Sequence, residues 1–340
     1  MIKVAAFTGG RSVPSARFRV RQYVNRLSTL GVEVTELPRR CEKYPPRWTL
    51  VRPMWLAASL AEEAVNFWRS RHYDVVLLQR EVISKLITVE RWMGGNVLLD
   101  VDDAIFSFRN GYVARRLAEK ATVIVCGNSY LGDRFSEWNP RVRVIPTAVD
   151  TERYLPGVHA KEDEGLVVGW IGTSSNLPEL MAIERAIARA LAACPDAKLR
   201  IVSNAFPTLK SLRTEQVECI RWSETNEVKV IQGMDIGIMP LRDSKWARGK
   251  CAFKMIQYMA CGLPSIVSPV GMNSEVLTMG EFSVAAGDES EWTDALVGLL
   301  RDAGRRRAMG MMAREVAERS FSVKTLAPRL AEAIREAAGG

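Results

Sequence analysis

The residues whose types and spacing could do chemistry lie mainly between Trp246 and Glu275. Upstream, the apolar run 236–241 ends in a turn signal and reads as a buried strand. A basic loop with Arg248, Gly249 and Lys250 follows, and then Phe253, Ile256, Tyr258, Met259 and Ala260 recur at helical spacing. Gly262 and Pro264 stop that helix before a further strand at 265–268. The unit puts Arg248, Lys250, Lys254 and the backbone amides of Cys251, Ala252 and Phe253 at a helix N-terminus. Free N–H groups, the helix dipole and positive charge all favour a phosphate there. The alternative is that Lys250 and Lys254 are solvated residues at a helix start.

Other candidates stand at strand ends. Gly9 and Gly10 close the first strand and would let backbone approach a ligand; a tight turn explains them equally. Arg17 and Arg21 share a helix face at four-residue spacing, while Arg19 points elsewhere. Gln79-Arg80-Glu81 follows one strand, and Asp100-Val-Asp102-Asp103 follows another. Asp102 or Asp103 could orient or deprotonate a hydroxyl, although one of them could equally cap the next helix. Gly172, Thr173 and Ser174 follow strand 166–171 and offer backbone and hydroxyl donors. Arg221 and Trp222 end a further strand, where Trp222 either stacks on a ligand or packs in the core.

Composition narrows the classes. The chain has 340 residues, 47% of them hydrophobic and 25% charged, which suits a soluble enzyme of two domains. A net charge of +8 favours an anionic partner. Its basic residues are scattered rather than clustered with stacking aromatics, which argues against nucleic acid. Six cysteines without C-x-x-C spacing read as reduced thiols, and the two histidines lack metal-ligand neighbours. We expect no metal and no cofactor. With neither a secretory signal nor a run of spanning length, a cytoplasmic location is expected. Trp48, Trp55 and Trp68, amid Arg47, Arg52, Arg69 and Arg71, add a second place, the inner face of the cell membrane: a basic, Trp-bearing helix can lie on an anionic bilayer. The alternative is that these tryptophans pack on the sheet.

The elements that must hold these residues alternate. Strands at 2–7, 32–37, 74–78, 96–100, 122–126 and 143–145 are separated by helical stretches, beginning with one long helix over 15–30. This is the pattern of a doubly wound parallel sheet. Residues 146–150, Pro156-Gly157 and the charged run 161–164 read as a linker. Alternation then restarts, and the stretch from about 288 to 338 reads as nearly all helix.

Residues 144–153 resemble the domain linker of glycosyltransferase family 4 (glycosyl transferases group 1), and 249–275 resemble its donor-site strand, helix and loop. Gly169-Trp-Ile-Gly172 and residues 306–321 fit the same picture. The resemblance implies the GT-B fold: an α/β protein of two facing Rossmann-like domains with a helical C-terminal tail. It implies an acceptor-binding domain over 1–150 with the last helix, about 322–340, packed back on it, and a nucleotide-sugar-binding domain over 160–320. The implied activity is transfer of a sugar from a nucleotide-diphosphate-sugar to a hydroxyl of a glycan, lipid-linked or small-molecule acceptor, with retention and without metal. Asp102, Asp103 and Lys250 become the catalytic candidates. Gly172, Thr173, Ser174, Arg221, Trp222, Arg248, Lys250, Cys251, Ala252, Phe253, Lys254 and Gln257 would bind the donor, and Gly9, Gly10, Arg17 and Arg80 the acceptor. The family's two donor-site glutamates align with Gly249 and Gln257. That departure keeps a relative that binds without turnover as one alternative, and Asp100 with Asp102 keeps an aspartate-dependent phosphohydrolase as another.

Overall fold

The computed structural model describes residues 1–10, 13–41, 45–46, 48–83, 86–93, 95–157 and 165–339. Arg47, His159 and the charged run 161–164 lie outside them. In chain order the elements are β1 (Ile2–Thr8), α1 (Pro14–Arg19), α2 (Val24–Thr29), β2 (Val32–Pro38), α3 (Arg52–Ser70), β3 (Val75–Gln79), β4 (Val97–Val101), α4 (Tyr112–Lys120), β5 (Val123–Cys126), α5 (Ser129–Ser136) and β6 (Val142–Val144). There follow β7 (Val167–Ile171), α6 (Leu177–Ala182), α7 (Glu184–Ala193), β8 (Lys198–Ser203), β9 (Val217–Arg221), α8 (Glu227–Gln232), β10 (Ile236–Met239), α9 (Lys245–Arg248), α10 (Phe253–Ala260) and β11 (Ser265–Val267). The last are α11 (Met272–Leu277), β12 (Ser283–Ala285), α12 (Glu289–Arg301), α13 (Ala303–Val316) and α14 (Val323–Gly339).

The chain divides into two compact units, one of Met1–Ala148, Arg248–Cys251 and Val323–Gly340, the other of Val149–Ala247 and Ala252–Ser322. Each is built on a six-stranded parallel sheet, ordered β2-β1-β3-β4-β5-β6 in the first and β12-β11-β10-β7-β8-β9 in the second. Central strands such as β3, β4 and β7 are buried along their whole length, because helices cover both faces of a parallel sheet. In the first unit, Val4, Leu77 and Leu98 pack with Leu326, Leu330 and Ile334 of α14. The second core joins Val168, Ile201 and Ile238 to Leu180, Ile187, Trp292 and Leu296.

The expected helix over 15–30 is broken. Val20 leaves helical geometry at φ −126°, ψ −65°, and a short 3-10 turn, Arg21–Tyr23, separates α1 from α2. The four-residue face of Arg17 and Arg21 is therefore lost: Arg21 pairs with Glu36 at 2.9 Å, while Arg17 lies over the Phe18 ring. No helix among the described residues is long and apolar enough to cross a membrane.

Candidate active site

In the first unit, the carboxyl ends of β3 and β4 carry a charge cluster. Arg80 follows β3 in the left-handed region, φ 58°, a conformation that costs a non-glycine residue about 1–3 kcal/mol and gathers at functional sites. Its amide donates to the Asp100 carbonyl at 2.9 Å. Its guanidinium lies 3.1 Å from Asp102 Oδ1 and donates to Asp103 Oδ2 at 2.6 Å and to Ser15 Oγ at 3.2 Å. The sequence candidates Arg80, Asp102 and Asp103 thus form one ion-paired group in which Arg80 positions both carboxylates.

Beneath this cluster, Arg19 donates its Nε to both oxygens of Asp100, at 3.1 and 3.2 Å, and its Nη1 to the Ile145 carbonyl. Burial alone would lower the pKa of Arg19, but the adjoining Asp100 carboxylate raises it instead. Burial raises Asp100 too, against the pull of Arg19. With 3% of its surface exposed and both oxygens accepting from Arg19, Asp100 is a structural group and does not suit the nucleophile of an aspartate-dependent phosphohydrolase.

A cavity of about 10 Å³, room for one water, opens beneath Gly9 between Thr8, Arg39, Glu63, Gln79 and Glu81. Neither oxygen of Glu63 nor the amide of Gln79 has a hydrogen-bond partner among the described residues. Arg39 comes within 3.4 Å of Glu63. Burial, with Glu62 and Glu90 adding to it against Arg39, pushes the Glu63 carboxyl up to about 7. Gly10 makes the turn at φ 128°, where the Arg39 carbonyl leaves little room for a Cβ.

The basic loop singled out by sequence is divided between the units. Arg248–Cys251 packs within the first. There Asn128 Nδ2 donates to the carbonyls of Arg248 and Lys250, at 3.2 and 3.0 Å, and the Cys251 thiol donates to the Asp102 carbonyl at 3.2 Å. A Cβ on Gly249 would lie 2.7 Å from the Ala104 nitrogen. A glutamate cannot occupy this position on this backbone, which is the physical reason for that departure.

Ala252, Phe253, Lys254 and Gln257 belong to the second unit. Ala252, left-handed at φ 49°, turns the chain into α10. Lys254, in the first turn, stretches across the end of β7: its Nζ is 5.8 Å from the Trp170 ring, and its Cε would touch a Cβ added at Gly172. Gly172, Thr173 and Ser174 line the same strand end. Ser174 N is already taken by Asn204 Oδ1 at 2.8 Å, and the Thr173 hydroxyl accepts from Asn176 at 2.9 Å. Arg221 is exposed at the end of β9.

Gln257 is buried in a network that sequence reasoning missed. Its Nε2 donates to Glu227 Oε1 at 3.1 Å and to Tyr154 Oη at 3.2 Å. Tyr154 donates to Glu227 Oε2 at 2.7 Å, and Trp222 Nε1 to Oε1 at 3.2 Å. The carboxylate missing from position 257 is present beside it on Glu227, and Trp222 has a polar partner rather than a purely apolar setting. Glu227 stands 30 residues from Gln257, so no local spacing announced the pair. Among the described residues no group of three or more His, Cys, Asp or Glu side chains could hold a metal ion.

The family model described as glycosyl transferases group 1 matches residues 165–302, within the second unit. A GDP-mannose-dependent monoacylated alpha-(1-6)-phosphatidylinositol monomannoside mannosyltransferase of Corynebacterium glutamicum is 25% identical over 244 residues, 64% of this chain and 62% of that protein. The match therefore spans less than two thirds of that relative. Sucrose-phosphate synthase from Thermosynechococcus elongatus superposes with a TM-score of 0.72 at 15% identity, covering 99% of both chains. Anabaena HepE, solved in complex with UDP and glucose, gives 0.68 at 14% identity over 98% of this chain and 100% of its own. Family model, relatives and fold point the same way: the chain has the GT-B fold and resembles the group 1 glycosyl transferases, whose model matches within its second unit.

Proposed function

We propose that this chain is a glycosyltransferase that moves a sugar from a nucleotide-diphosphate-sugar to a hydroxyl of a glycan, lipid-linked or small-molecule acceptor. One observation carries the reading. Lys254 lies across the carboxyl end of β7 at Gly172, in the unit the family model matches, and ligands of open parallel sheets bind at strand carboxyl ends. The relatives, one GDP-mannose-dependent and one solved with UDP and glucose, support a nucleotide-sugar donor.

In this mechanism the bond from the anomeric carbon to the diphosphate oxygen breaks as the sugar becomes oxocarbenium-like. Negative charge grows on the leaving diphosphate, and Lys254 with the amides at the start of α10 stabilises it. The acceptor hydroxyl attacks from the same face and passes its proton to the departing diphosphate oxygen, giving retention. Asp102 and Asp103, fixed by Arg80, orient that acceptor, and Gly9, Gly10 and Arg17 line its approach. No metal is required, because lysine and amides meet the developing charge.

The test is turnover of a panel of nucleotide-diphosphate-sugars with glycan, lipid-linked and small acceptors in the presence of EDTA, with the product anomer assigned by NMR. A retained product in EDTA from one nucleotide class supports the reading. An inverted product removes retention, and loss of turnover in EDTA removes metal independence. Donor binding with no product under any condition favours the non-catalytic relative, the alternative that the exclusion of glutamate from position 249 keeps open. Beyond donor chemistry, a peripheral contact with an anionic membrane is part of the proposal.

A further inference from the structure

Helix α3 is built the wrong way round for water. Its buried positions are Ser59, Glu63, Asn66 and Ser70, which recur at the spacing of one helix face and are polar or charged. Glu63 pairs with Arg39, and Ser59 accepts from Arg39 Nη2 at 3.0 Å. The opposite face, Met54, Ala58, Ala61, Val65 and Trp68, is apolar and exposed. Met54 keeps 75% of its surface in contact with solvent, Trp68 64%, and Trp48 just before the helix 76%. An amphipathic helix normally turns its apolar stripe to the core. Among the described residues nothing buries the stripe, whose Trp68 meets only the edge of His72 at 5.9 Å, and large exposed apolar patches mark interaction sites.

Charge identifies the occupant. Exposed cations flank the stripe: Arg40 and Arg52 toward one end, Arg69 and Arg71 toward the other. Glu63 is buried, and Glu62 is engaged with the amides of Arg40 and Cys41 at 2.7 and 3.0 Å. Past Trp68, a shallow cleft of about 330 Å³ is lined by Lys3, Arg69, His72 and Tyr73, with Glu33 and Thr35 also on its wall. Apolar stripe, tryptophans and flanking arginines are the complement of a bilayer surface carrying anionic headgroups.

We propose that α3 docks this protein on anionic lipid, with Met54, Val65, Trp48 and Trp68 at the boundary of headgroups and acyl chains and Arg52, Arg69 and Arg71 on lipid phosphates. This deepens the membrane contact named above and stands on the helix alone. Donor hydrolysis in solution, an activity that needs no docked acceptor, reads the glycosyltransferase proposal separately.

The experiment is flotation of the full chain with vesicles of phosphatidylcholine alone and of phosphatidylcholine mixed with phosphatidylglycerol, over a salt series, alongside light scattering of the free protein. The wild type floats with the anionic vesicles only, and added salt weakens this. Each of Arg52→Gln, Arg69→Gln and Arg71→Gln lowers the partition about fivefold. Trp48→Ser with Trp68→Ser lowers it at least about tenfold, with the circular dichroism spectrum and donor hydrolysis unchanged. Absence of wild-type flotation, equal flotation with neutral vesicles, or flotation indifferent to the tryptophan change overturns the proposal. So does a wild-type dimer that the same change splits into monomers, since a second copy then occupies the stripe.

Discussion

The two units share an architecture but use polar groups at their strand ends differently. The first sets charge against charge: Arg19 on Asp100, Arg39 on Glu63, Arg80 on Asp102 and Asp103. The second leans more on neutral partners. Arg314 pairs with Glu318 but also donates to the carbonyls of Thr151, Tyr154 and Ala260, and Glu227 accepts from Trp222, Tyr154 and Gln257. Removing one member of a buried ion pair strands an uncompensated charge, so the first unit should lose more stability than the second when one partner is taken away. The second reaches a strand end with Lys254, a cation on a flexible stem suited to a diphosphate.

The largest effect should come from breaking a charge pair in the first unit. Arg19→Leu leaves Asp100 buried and unpaired and should cost about 3–5 kcal/mol, read by urea unfolding. Little loss would mean that the first unit does not depend on its pairs.

Glu63 gives the next effect, and it depends on pH. Its folded pKa, about 7, lies above the ordinary 4.5. Below 4.5 both states hold the proton and nothing is lost. As pH rises from 4.5 to 7 the unfolded chain ionises first, so stability falls across that window, by on the order of 3 kcal/mol, and levels off above it. In Glu63→Gln this part of the slope should vanish from the pH dependence of chemical unfolding. An unchanged slope would show that the carboxyl is already ionised.

Smaller effects test the positions where the family's glutamates are missing. Gly249→Glu should destabilise by about 1–3 kcal/mol through the clash with Ala104, with no gain in turnover; a stable, faster variant would contradict the steric reason. Gln257→Glu sets a second carboxylate against Glu227 and should lower stability by about 1–2 kcal/mol at pH 7, with recovery in acid as one group protonates. Loss in acid instead would mean the pair does not repel.

Much of the frame was legible in the sequence, because buried parallel strands are written as short apolar runs and turns as Gly and Pro. The strands of both sheets and the helical tail follow from such local signals. The break at Val20 was not legible: residues 15–30 keep helical propensity, and it is where Arg19, tied to Asp100 81 positions away, sits that accompanies the kink. For the same reason sequence reasoning joined Arg248, Lys250 and Lys254 in one site. Chain proximity cannot show that Asn128 holds Arg248 and Lys250 within the other unit. Glu227 escaped notice because its partners come from three segments. The polar inner face of α3 was present in the sequence, but only burial shows which face is inside.

The central claim is that the second unit holds a nucleotide-diphosphate-sugar through Lys254. The direct measurement is thermal unfolding of the wild type, Lys254→Ala and Lys250→Ala with UDP-, GDP-, ADP-, CMP- and dTDP-sugars, since a ligand selective for the folded state raises its stability. We expect one nucleotide class to stabilise the wild type, Lys254→Ala to lose that stabilisation while unfolding normally without ligand, and Lys250→Ala to keep most of it. Wild type unmoved by every nucleotide-sugar, or Lys254→Ala stabilised as strongly as wild type, would contradict the account.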